Sequence, residues 1–434
     1  MRIQIDQSNL TRFFGDLIDN NTGGSVDFKL KAFENPMLPT FKFGLAYDYK
    51  DRKFDARLFG FRNVPGGNFM REDELTRGSI EDLFAPENFT SNFLEIVEIT
   101  KPSDSYSSEQ TIAAGYFAFD YNVTDQIKVI TGFRVENSNQ KMDSKSLTGE
   151  PVKVDQKYND FLPSLNVVYQ PTEYLNVRAA YSRTLARPEF REIAPFSYYD
   201  FLENELVQGN PALKRSLITN YDLRLELFPA RATELIALSV FYKEFSDPIE
   251  QTLVASANEP IRSYANANKA ENLGVELEVR KNLDFILPQL DFLSFVGNIS
   301  YISSKVKFDE SGINGSTFQE TERSLQGQAD YILNFGLYYD GYTNGFNASV
   351  VYNKVGEKIA KVGTVNLGNV VERPRDQVDL MVSQKLFDNW TVKLAVKDLF
   401  ENDYVQVQKT PAGERVSQKI KKGRDFSVGV SYKF

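Results

Sequence analysis

The sequence contains no cysteine and no histidine among its 434 residues. The lack of cysteine excludes disulfides, thiolate nucleophiles and Cys-based zinc or iron–sulfur sites. The lack of histidine removes the usual general base, the Ser-His-Asp triad, His-based zinc motifs and haem held by an imidazole. Carboxylate chemistry remains, but the 59 Asp and Glu residues are too scattered to nominate a catalytic pair. We therefore predict no catalytic residue, no bound metal and no cofactor, and expect that the protein is not an enzyme.

Long apolar runs and a basic charge balance are also missing. No stretch approaches the run of about 18 apolar residues of a spanning helix, and residues 1–6 lack the basic and apolar regions of a signal peptide. The net charge of -9 and the pI of 5.0 argue against a nucleic-acid partner, because phosphate contacts need a basic surface. A membrane-spanning strand remains compatible with these absences, because barrel strands carry only one apolar residue in two.

The dominant pattern that is present is strict alternation of apolar and polar residues. In residues 219–227 the odd positions from Tyr221 are apolar and the even positions are Asn, Asp, Arg and Glu. Residues 273–280 and 329–340 repeat the pattern. A helix would need apolar recurrence at every third or fourth position, so the sequence predicts strands.

About fifteen such segments are long enough, at about 9 to 11 residues or more, to cross a membrane as tilted strands. Their centres lie near residues 29, 45, 116, 131, 164, 180, 223, 239, 275, 299, 333, 351, 382, 395 and 430. A soluble propeller or β-helix is the alternative, but such strands are usually shorter and no repeat of about 40 residues is present. The pattern therefore predicts an all-β, transmembrane, antiparallel up-and-down barrel.

The connections between these segments alternate in length, as expected for short periplasmic turns and long extracellular loops. Short turns are predicted at residues 34–38, 123–126, 170–174, 229–233, 340–345 and 387–389. Long polar excursions are predicted at residues 63–110, 137–157, 187–216, 246–259, 309–324, 359–374 and 401–424. One connection, residues 282–291, is long for a periplasmic turn.

The carboxy-terminal segment alternates in the same way and stops on an aromatic residue. Its apolar positions are Phe426, Val428, Val430, Tyr432 and Phe434. This ending resembles the terminal strand that the barrel-assembly machinery recognises, although any closing β-strand could end on Phe.

Seven stretches, in their order and spacing, carry a resemblance to a known family. They are residues 181–191 (YSRTLARPEFR), 209–213 (GNPAL), 220–224 (NYDLR), 240–243 (VFYK), 270–276 (AENLGVE), 352–356 (YNKVG) and 396–400 (VKDLF). Together they resemble the carboxy-terminal barrel of TonB-dependent receptor/transporters, particularly those of Bacteroidetes. The resemblance implies a multi-pass protein of the Gram-negative outer membrane that takes up a large or scarce nutrient, such as a ferric siderophore, glycan or peptide.

The same resemblance implies a 22-stranded barrel filled by an amino-terminal plug. This sequence offers about fifteen strands, and no plug or TonB box is recognisable, so residues 1–434 are interpreted as one barrel domain without the plug and the first strands. The implied partners are membrane lipid, TonB with ExbB and ExbD through the absent plug, the barrel-assembly machinery and a surface lipoprotein. A passive porin-like channel, and a subunit or substrate of an outer-membrane assembly complex, are the alternatives.

Candidate contact residues follow from the polar faces of the strands. The lumen candidates for ligand or plug contact are Arg178, Asp222, Arg224, Glu226, Glu276, Glu278 and Arg280, with Asn176, Asp330 and Asn334 beside them. The favoured alternative is a structural ladder of alternating charges, because the architecture requires a polar lumen for any substrate.

Residues 183–199 supply the candidates near an external loop. Arg183, Arg187 and Arg191 form a basic cluster whose guanidinium groups suit anionic ligands such as ferric siderophores, or could brace the loop with neighbouring glutamates. Tyr198 and Tyr199 could stack on sugar or aromatic ligands, or belong to an interfacial girdle.

Overall fold

The alternating segments fold as strands of an antiparallel sheet in the computed structural model. It describes residues 11–31, 38–66, 79–200, 203, 205–229, 234–254, 261–307, 322–363, 367–387, 389–410 and 412–434. In chain order the strands are β1 (Thr11–Lys31), β2 (Thr40–Asn63), β3 (Leu94–Glu98), β4 (Ser105–Asn122), β5 (Ile127–Lys145), β6 (Pro151–Thr172), β7 (Leu175–Ala186), β8 (Ser197–Asp200), β9 (Glu205–Gln208), β10 (Ser216–Leu227), β11 (Leu235–Ser246), β12 (Ile249–Val254), β13 (Ile261–Asn266), β14 (Lys269–Asn282), β15 (Leu293–Lys307), β16 (Glu322–Arg323), β17 (Tyr331–Asp340), β18 (Phe346–Val355), β19 (Lys358–Lys361), β20 (Val370–Glu372), β21 (Arg375–Leu386), β22 (Trp390–Lys397), β23 (Tyr404–Thr410), β24 (Gly413–Ile420) and β25 (Asp425–Tyr432).

Fifteen of these strands form an up-and-down meander in which each pairs antiparallel with the next. Their order is β1, β2, β4, β5, β6, β7, β10, β11, β14, β15, β17, β18, β21, β22 and β25. Each of the fifteen predicted strand centres lies within one of them, which confirms the predicted fold class. Thirteen have ten residues or more, whereas β22 and β25 have eight.

Short elements occupy the connections. β3 extends the pairing of β2, and β16 extends that of β15. Two four-stranded sheets form beside the meander, one from β8, β9, β12 and β13 and the other from β19, β20, β23 and β24. Within the described ranges, helical structure consists of α1 (Ile80–Leu83), α2 (Phe190–Ile193) and single 3₁₀ turns at Pro86–Asn88, Pro102–Asp104, Leu283–Phe285 and Pro288–Leu290. Among the helices of the described ranges, none has the length and apolarity needed to span a bilayer.

The two faces of the meander differ in polarity because side chains alternate along every strand. Leu225, Leu238, Leu277 and Ile299 lie in register on four successive strands and are all exposed. We call this face the outer face and the opposite one the inner face. A continuous exposed apolar band of this kind is what a lipid-facing barrel wall requires.

The two ends of the meander differ in the length of their connections, as predicted. Short connections occur at residues 123–126, 173–174, 341–345 and 387–389. The turns predicted at residues 34–38 and 229–233 lie almost entirely outside the described residues. The connection of residues 283–292 is long and contains two 3₁₀ turns, in line with the exception noted in the sequence. The long connections leave from the opposite end, which we call the external end.

The predicted excursion at residues 137–157 is wrong, because strands continue through most of it. β5 runs to Lys145 and β6 begins at Pro151, which leaves a connection of residues 146–150. Lys141 lies opposite Asp155, and Lys153 lies opposite Asp143 with an Nζ–Oδ1 distance of 3.2 Å. Opposite charges placed across two strands favour pairing, so a polar composition here does not indicate a loop.

The meander has two edges that remain unpaired within the described ranges. β1 pairs with β2, β25 pairs with β22, and no pairing joins β1 to β25 there. Because the number of strands is odd, these two edge strands run in the same direction. The edges therefore offer unpaired backbone groups to further strands.

Candidate functional site

Five of the predicted lumen residues form a continuous ion-pair ladder on the inner face. Glu226 of β10 accepts from Arg178 Nε of β7 at 2.8 Å and from Arg224 Nε at 2.9 Å. Arg224 Nη2 continues to Glu278 of β14 at 2.8 Å, and Glu278 also accepts from Arg280 Nε at 3.0 Å. The ladder therefore crosses the wall from β7 to β14.

Polar groups beside the ladder extend it. Arg224 Nη1 donates to Ser239 Oγ of β11 at 3.0 Å, and Ser300 Oγ of β15 donates to Glu276 at 3.1 Å. Asp222 lies two residues from Arg224 on the same face and is exposed. The geometry matches a structural ladder, and ligand or plug contact by these residues stays a prediction.

The loop that follows β7 is fixed at both stems by ion pairs to the inner face of β5 and β6. Arg187 Nη2 lies 2.7 Å from Glu136 Oε2, and Arg215 Nη2 lies 2.7 Å from Asp160 Oδ1. The Asp160 side chain is only 2% exposed. The guanidinium groups at the two ends of residues 187–215 are therefore committed to the barrel wall.

Two glutamine side chains hold the same loop closer to the external end of β5 and β6. Gln140 Nε2 donates to the Pro188 carbonyl at 3.0 Å, and Gln156 Nε2 donates to the Leu213 carbonyl at 2.5 Å. Both glutamines lie on the inner face, in register with each other. The loop consequently enters the lumen instead of extending away from the barrel.

A buried apolar cluster completes this attachment. α2 and the residues after it insert into a pocket of apolar side chains on the inner faces of β2, β4, β5 and β6. The buried members are Ala56, Tyr106, Met142, Val154, Phe190, Ile193, Ala194, Phe196 and Leu213. Sequence reasoning missed this cluster, although apolar residues at even positions near the polar external ends of β2, β4, β5 and β6 were its available signal.

The structure separates the three arginines of the predicted basic cluster. Arg183 lies five positions after Arg178 on β7 and therefore on the opposite, outer face. It shares this face with Tyr181, whose ring centroid lies 5.3 Å from that of Tyr221. Arg187 lies in the inner stem described above. Arg191 stacks on the Tyr198 ring, with Cζ 3.4 Å from the ring centroid.

Tyr199 follows on β8 and is exposed, and it pairs with Leu206 across the β8–β9 hairpin. Arg191, Tyr198 and Tyr199 therefore remain grouped in the external loop. Their contact with a ligand stays a prediction, as does that of Arg183 and Arg187.

The external loops are bonded to one another. β9 pairs in parallel with β13, and Arg262 of β13 lies 2.7 Å from Asp200 of β8. Thr252 of β12 forms a bridge with Val362, in which Leu253 N donates to the Val362 carbonyl at 2.8 Å. These contacts join the loops that follow β7, β11 and β18.

The loop that follows β15 joins the same assembly through a buried ion pair. Arg323 binds Glu250 of β12 through Nη1 at 2.8 Å and Nη2 at 2.6 Å, and their side chains are 3% and 2% exposed. Gln326 Nε2 donates to the Ala360 carbonyl at 2.7 Å. We call β8, β9, β12, β13, residues 322–328 and residues 358–363 the external cap.

The carboxy-terminal strand pairs with β22 over its whole length. Tyr432 packs between Trp390, at a ring distance of 4.9 Å, and Phe434, at 5.1 Å. Phe426, Val428 and Val430 are exposed. Recognition of this strand by the barrel-assembly machinery stays a prediction.

The arrangement offers surfaces suited to ligand binding. Within the described ranges, no group of three or more His, Cys, Asp or Glu residues is placed to hold a metal ion. A polar wall with paired charges lies below a cap that carries aromatic rings and a stacked guanidinium group. Such a surface can hold a polar or anionic ligand by stacking and hydrogen bonds.

Comparison with known proteins gives one family match. A family described as TonB dependent receptor-like, beta-barrel, matches residues 4–399. A comparison with curated protein sequences found no match.

Solved structures with a similar fold include three receptors or transporters of low sequence identity. The ferric yersiniabactin uptake receptor FyuA from Yersinia pestis is 14% identical, with a TM-score of 0.62, and the match covers 98% of this chain and 56% of that one. The siderophore receptor PirA from Acinetobacter baumannii is 16% identical, with a TM-score of 0.57 and coverages of 97% and 55%. The ferric citrate transporter FecA is 12% identical, with a TM-score of 0.65 and coverages of 100% and 57%. The chain thus spans a little over half the length of these proteins.

Proposed function

Because the chain belongs to the TonB-dependent receptor-like β-barrel family, we propose that it forms part of an outer-membrane receptor for energy-coupled nutrient uptake. The family match over residues 4–399 carries this proposal. Family members are outer-membrane β-barrels, and the apolar band on the outer face suits that environment. Family and neighbours are receptors and transporters, and we extend this to a chain without catalytic activity.

The complete receptor is proposed to contain further strands and a plug. Two observations support this: β1 and β25 each have an unpaired edge among the described residues, and the similar structures are longer than this chain. Additional strands pairing with both edges would give the larger plugged barrel of outer-membrane transporters. Coupling to TonB, ExbB and ExbD would then act through the plug. The barrel-assembly machinery would recognise β25, and a surface lipoprotein would bind above the cap.

The proposed ligand class is a ferric chelate, with glycans and peptides as the alternatives. The solved neighbours are named as receptors or transporters for ferric yersiniabactin, siderophores and ferric citrate. In this chain, Arg191 and Tyr198 form a cationic aromatic surface beside the exposed Tyr199. Such a surface can stack on a flat chelator and balance its negative charge.

Gene deletion in the native host tests the function. The mutant, the parent and a strain lacking TonB are compared for uptake of radioactive iron supplied as ferric citrate and as catecholate, hydroxamate and phenolate chelates. Matching losses for one chelate in both mutant strains are expected. Uptake that needs this protein but not TonB would indicate a passive channel, and unchanged iron uptake with lost growth on a glycan or peptide would move the ligand to that class.

A further inference from the structure

Glu205, the first residue of β9, is the point at which three external loops meet through charged side chains. Lys361, from the loop that follows β18, donates Nζ to Glu205 Oε2 at 2.8 Å. Arg262, from the loop that follows β11, places Nε 3.0 Å from Glu205 Oε1. The Lys361 and Arg262 side chains are only 6% and 11% exposed. One carboxylate therefore balances cations from two other loops in a shielded position.

The neighbouring carboxylate Glu203 provides a natural comparison. Lys361 Nζ also donates to Glu203 Oε2 at 3.1 Å. In the part of the chain that the structure describes, the ion pairs of Arg262 are with Asp200 and Glu205. Glu203 thus joins two loops, whereas Glu205 joins three.

Backbone bonds converge on the same place. Ile261 and Arg262 pair in parallel with Leu206 and Val207, directly after Glu205. On the other side, the Val362 amide donates to the Gln251 carbonyl at 2.9 Å, one residue after Lys361. Neutralising Glu205 removes one carboxylate from each of two shielded cations and leaves Lys361 with Glu203 and Arg262 with Asp200. Weakening a shielded charge network in this way costs stability. The charges and the backbone bonds therefore stabilise one arrangement of the three loops.

We propose that Glu205 is a positioning residue that ties the loops following β7, β11 and β18 into one preassembled body. This body holds the β8–β9 hairpin, with Tyr198 and Tyr199, in place before a ligand arrives. The role of the hairpin in ligand binding rests on the proposed function, but the coupling between the loops does not. Preassembly lowers the entropic cost of binding, because the loops are ordered in advance.

Amide hydrogen exchange of the full-length receptor in detergent micelles, without ligand, tests the coupling. Glu205→Gln keeps the shape and removes the charge. It is expected to accelerate exchange about tenfold or more in β8–β9, β12–β13 and residues 358–361 together, because loss of the shared charge loosens every attached loop. Glu203→Gln is the matched control and is expected to leave exchange in β12–β13 unchanged. Glu205→Asp keeps the charge and is expected to restore much of the protection in all three regions.

An engineered disulfide provides a second test, which distinguishes lost coupling between the loops from general destabilisation of the protein. This chain has no cysteine, so Thr252→Cys with Val362→Cys places one cross-link at the bridge between two loops. Added to Glu205→Gln, it is expected to restore slow exchange in β12–β13 and to lose this effect with reductant. If Glu205→Gln fails to reach the membrane, Arg262→Gln is expected to loosen β8–β9 and β12–β13 together.

The proposal is overturned if Glu205→Gln or Arg262→Gln changes exchange only in its own hairpin, or if Glu203→Gln has the same effect as Glu205→Gln. Because exchange is measured without ligand, this result is independent of uptake. Lost coupling in a receptor that still imports iron would remove the positioning role alone. Coupling that persists in a protein without uptake activity would remove the proposed function alone.

Discussion

The buried ion pair between Glu250 and Arg323 allows a quantitative prediction about the external cap. Both side chains are almost inaccessible, at 2% and 3% exposed, and the carboxylate also accepts from the Gln326 amide at 2.9 Å. In the variant Glu250→Gln the buried guanidinium group of Arg323 loses the charge of its bidentate partner Glu250. Removing one partner of a buried pair costs about 3–5 kcal/mol.

At about 1.4 kcal/mol per factor of ten, this cost corresponds to a rise of roughly a hundredfold or more in the open population of the attached loops. Amide exchange of β12 and residues 322–328 in the full-length receptor measures that population directly. The matched control is Glu322→Gln, which changes the residue next to Arg323 on β16. Its pair with Lys305 is exposed and 3.6 Å long, so the expected change is below about 1 kcal/mol.

A double replacement tests the physical reason for the effect. Glu250→Met with Arg323→Leu removes both charges and keeps apolar volume, and such exchanges are often neutral or stabilising. Exchange in β12 is therefore expected to return close to the unmodified rate. Equal effects of Glu250→Gln and Glu322→Gln, or a double variant as damaged as Glu250→Gln, would refute the assignment of this pair as a buried electrostatic link.

Three further variants test the wall and the loop that enters it. Leu277→Arg places a charge in the apolar band and is expected to cost about 2–4 kcal/mol if it lies at mid-bilayer. The cost is measured as a lower urea midpoint of the barrel in lipid vesicles, with Leu277→Ala as the uncharged comparison. Phe196→Ala empties a buried site and is expected to cost about 3–5 kcal/mol locally, seen as faster trypsin cleavage after Arg191. Burial raises the pKa of the Glu192 carboxyl against the opposing effect of the Glu189 amide. When folding raises the pKa of a group, the protein is most stable at low pH and loses stability as the pH rises through the pKa of the folded state. Glu192→Gln is therefore expected to slow exchange in residues 187–215 at pH 7 and to change it little at pH 4, and no difference between the two pH values would contradict this.

The meander was predictable because alternation is a local property. In residues 219–227 the faces can be assigned from composition alone, and β10 runs through them as expected. The same logic could have placed Arg183 on the outer face, because it lies five positions after Arg178 and an odd spacing places two strand residues on opposite faces. Sequence reasoning grouped Arg183 with Arg187 and Arg191 by charge and ignored this parity.

The external cap was not predictable, because its contacts join residues that are far apart in sequence. Glu250 and Arg323 are 73 positions apart, and each is equally compatible with a solvated loop. The prediction of a loop at the polar ends of β5 and β6 was wrong for a related reason. Outside the membrane a strand needs no apolar outer face, so Lys141 and Asp155 read as loop residues until their register is known.

The charged side chains of the barrel wall differ from Arg191, beside the cap, in the groups that they contact. Along the wall, Arg178, Arg224 and Arg280 alternate with Glu226 and Glu278, and each guanidinium lies within hydrogen-bond distance of a carboxylate. A wall whose charges are already paired hydrates the lumen but retains little attraction for an anionic ligand. Beside the cap, by contrast, Arg191 of α2 is stacked on the Tyr198 ring of β8, next to the exposed Tyr199. Under the proposed function, a stacking contact with the ligand is therefore expected at Tyr198 and Tyr199 and not along the paired wall.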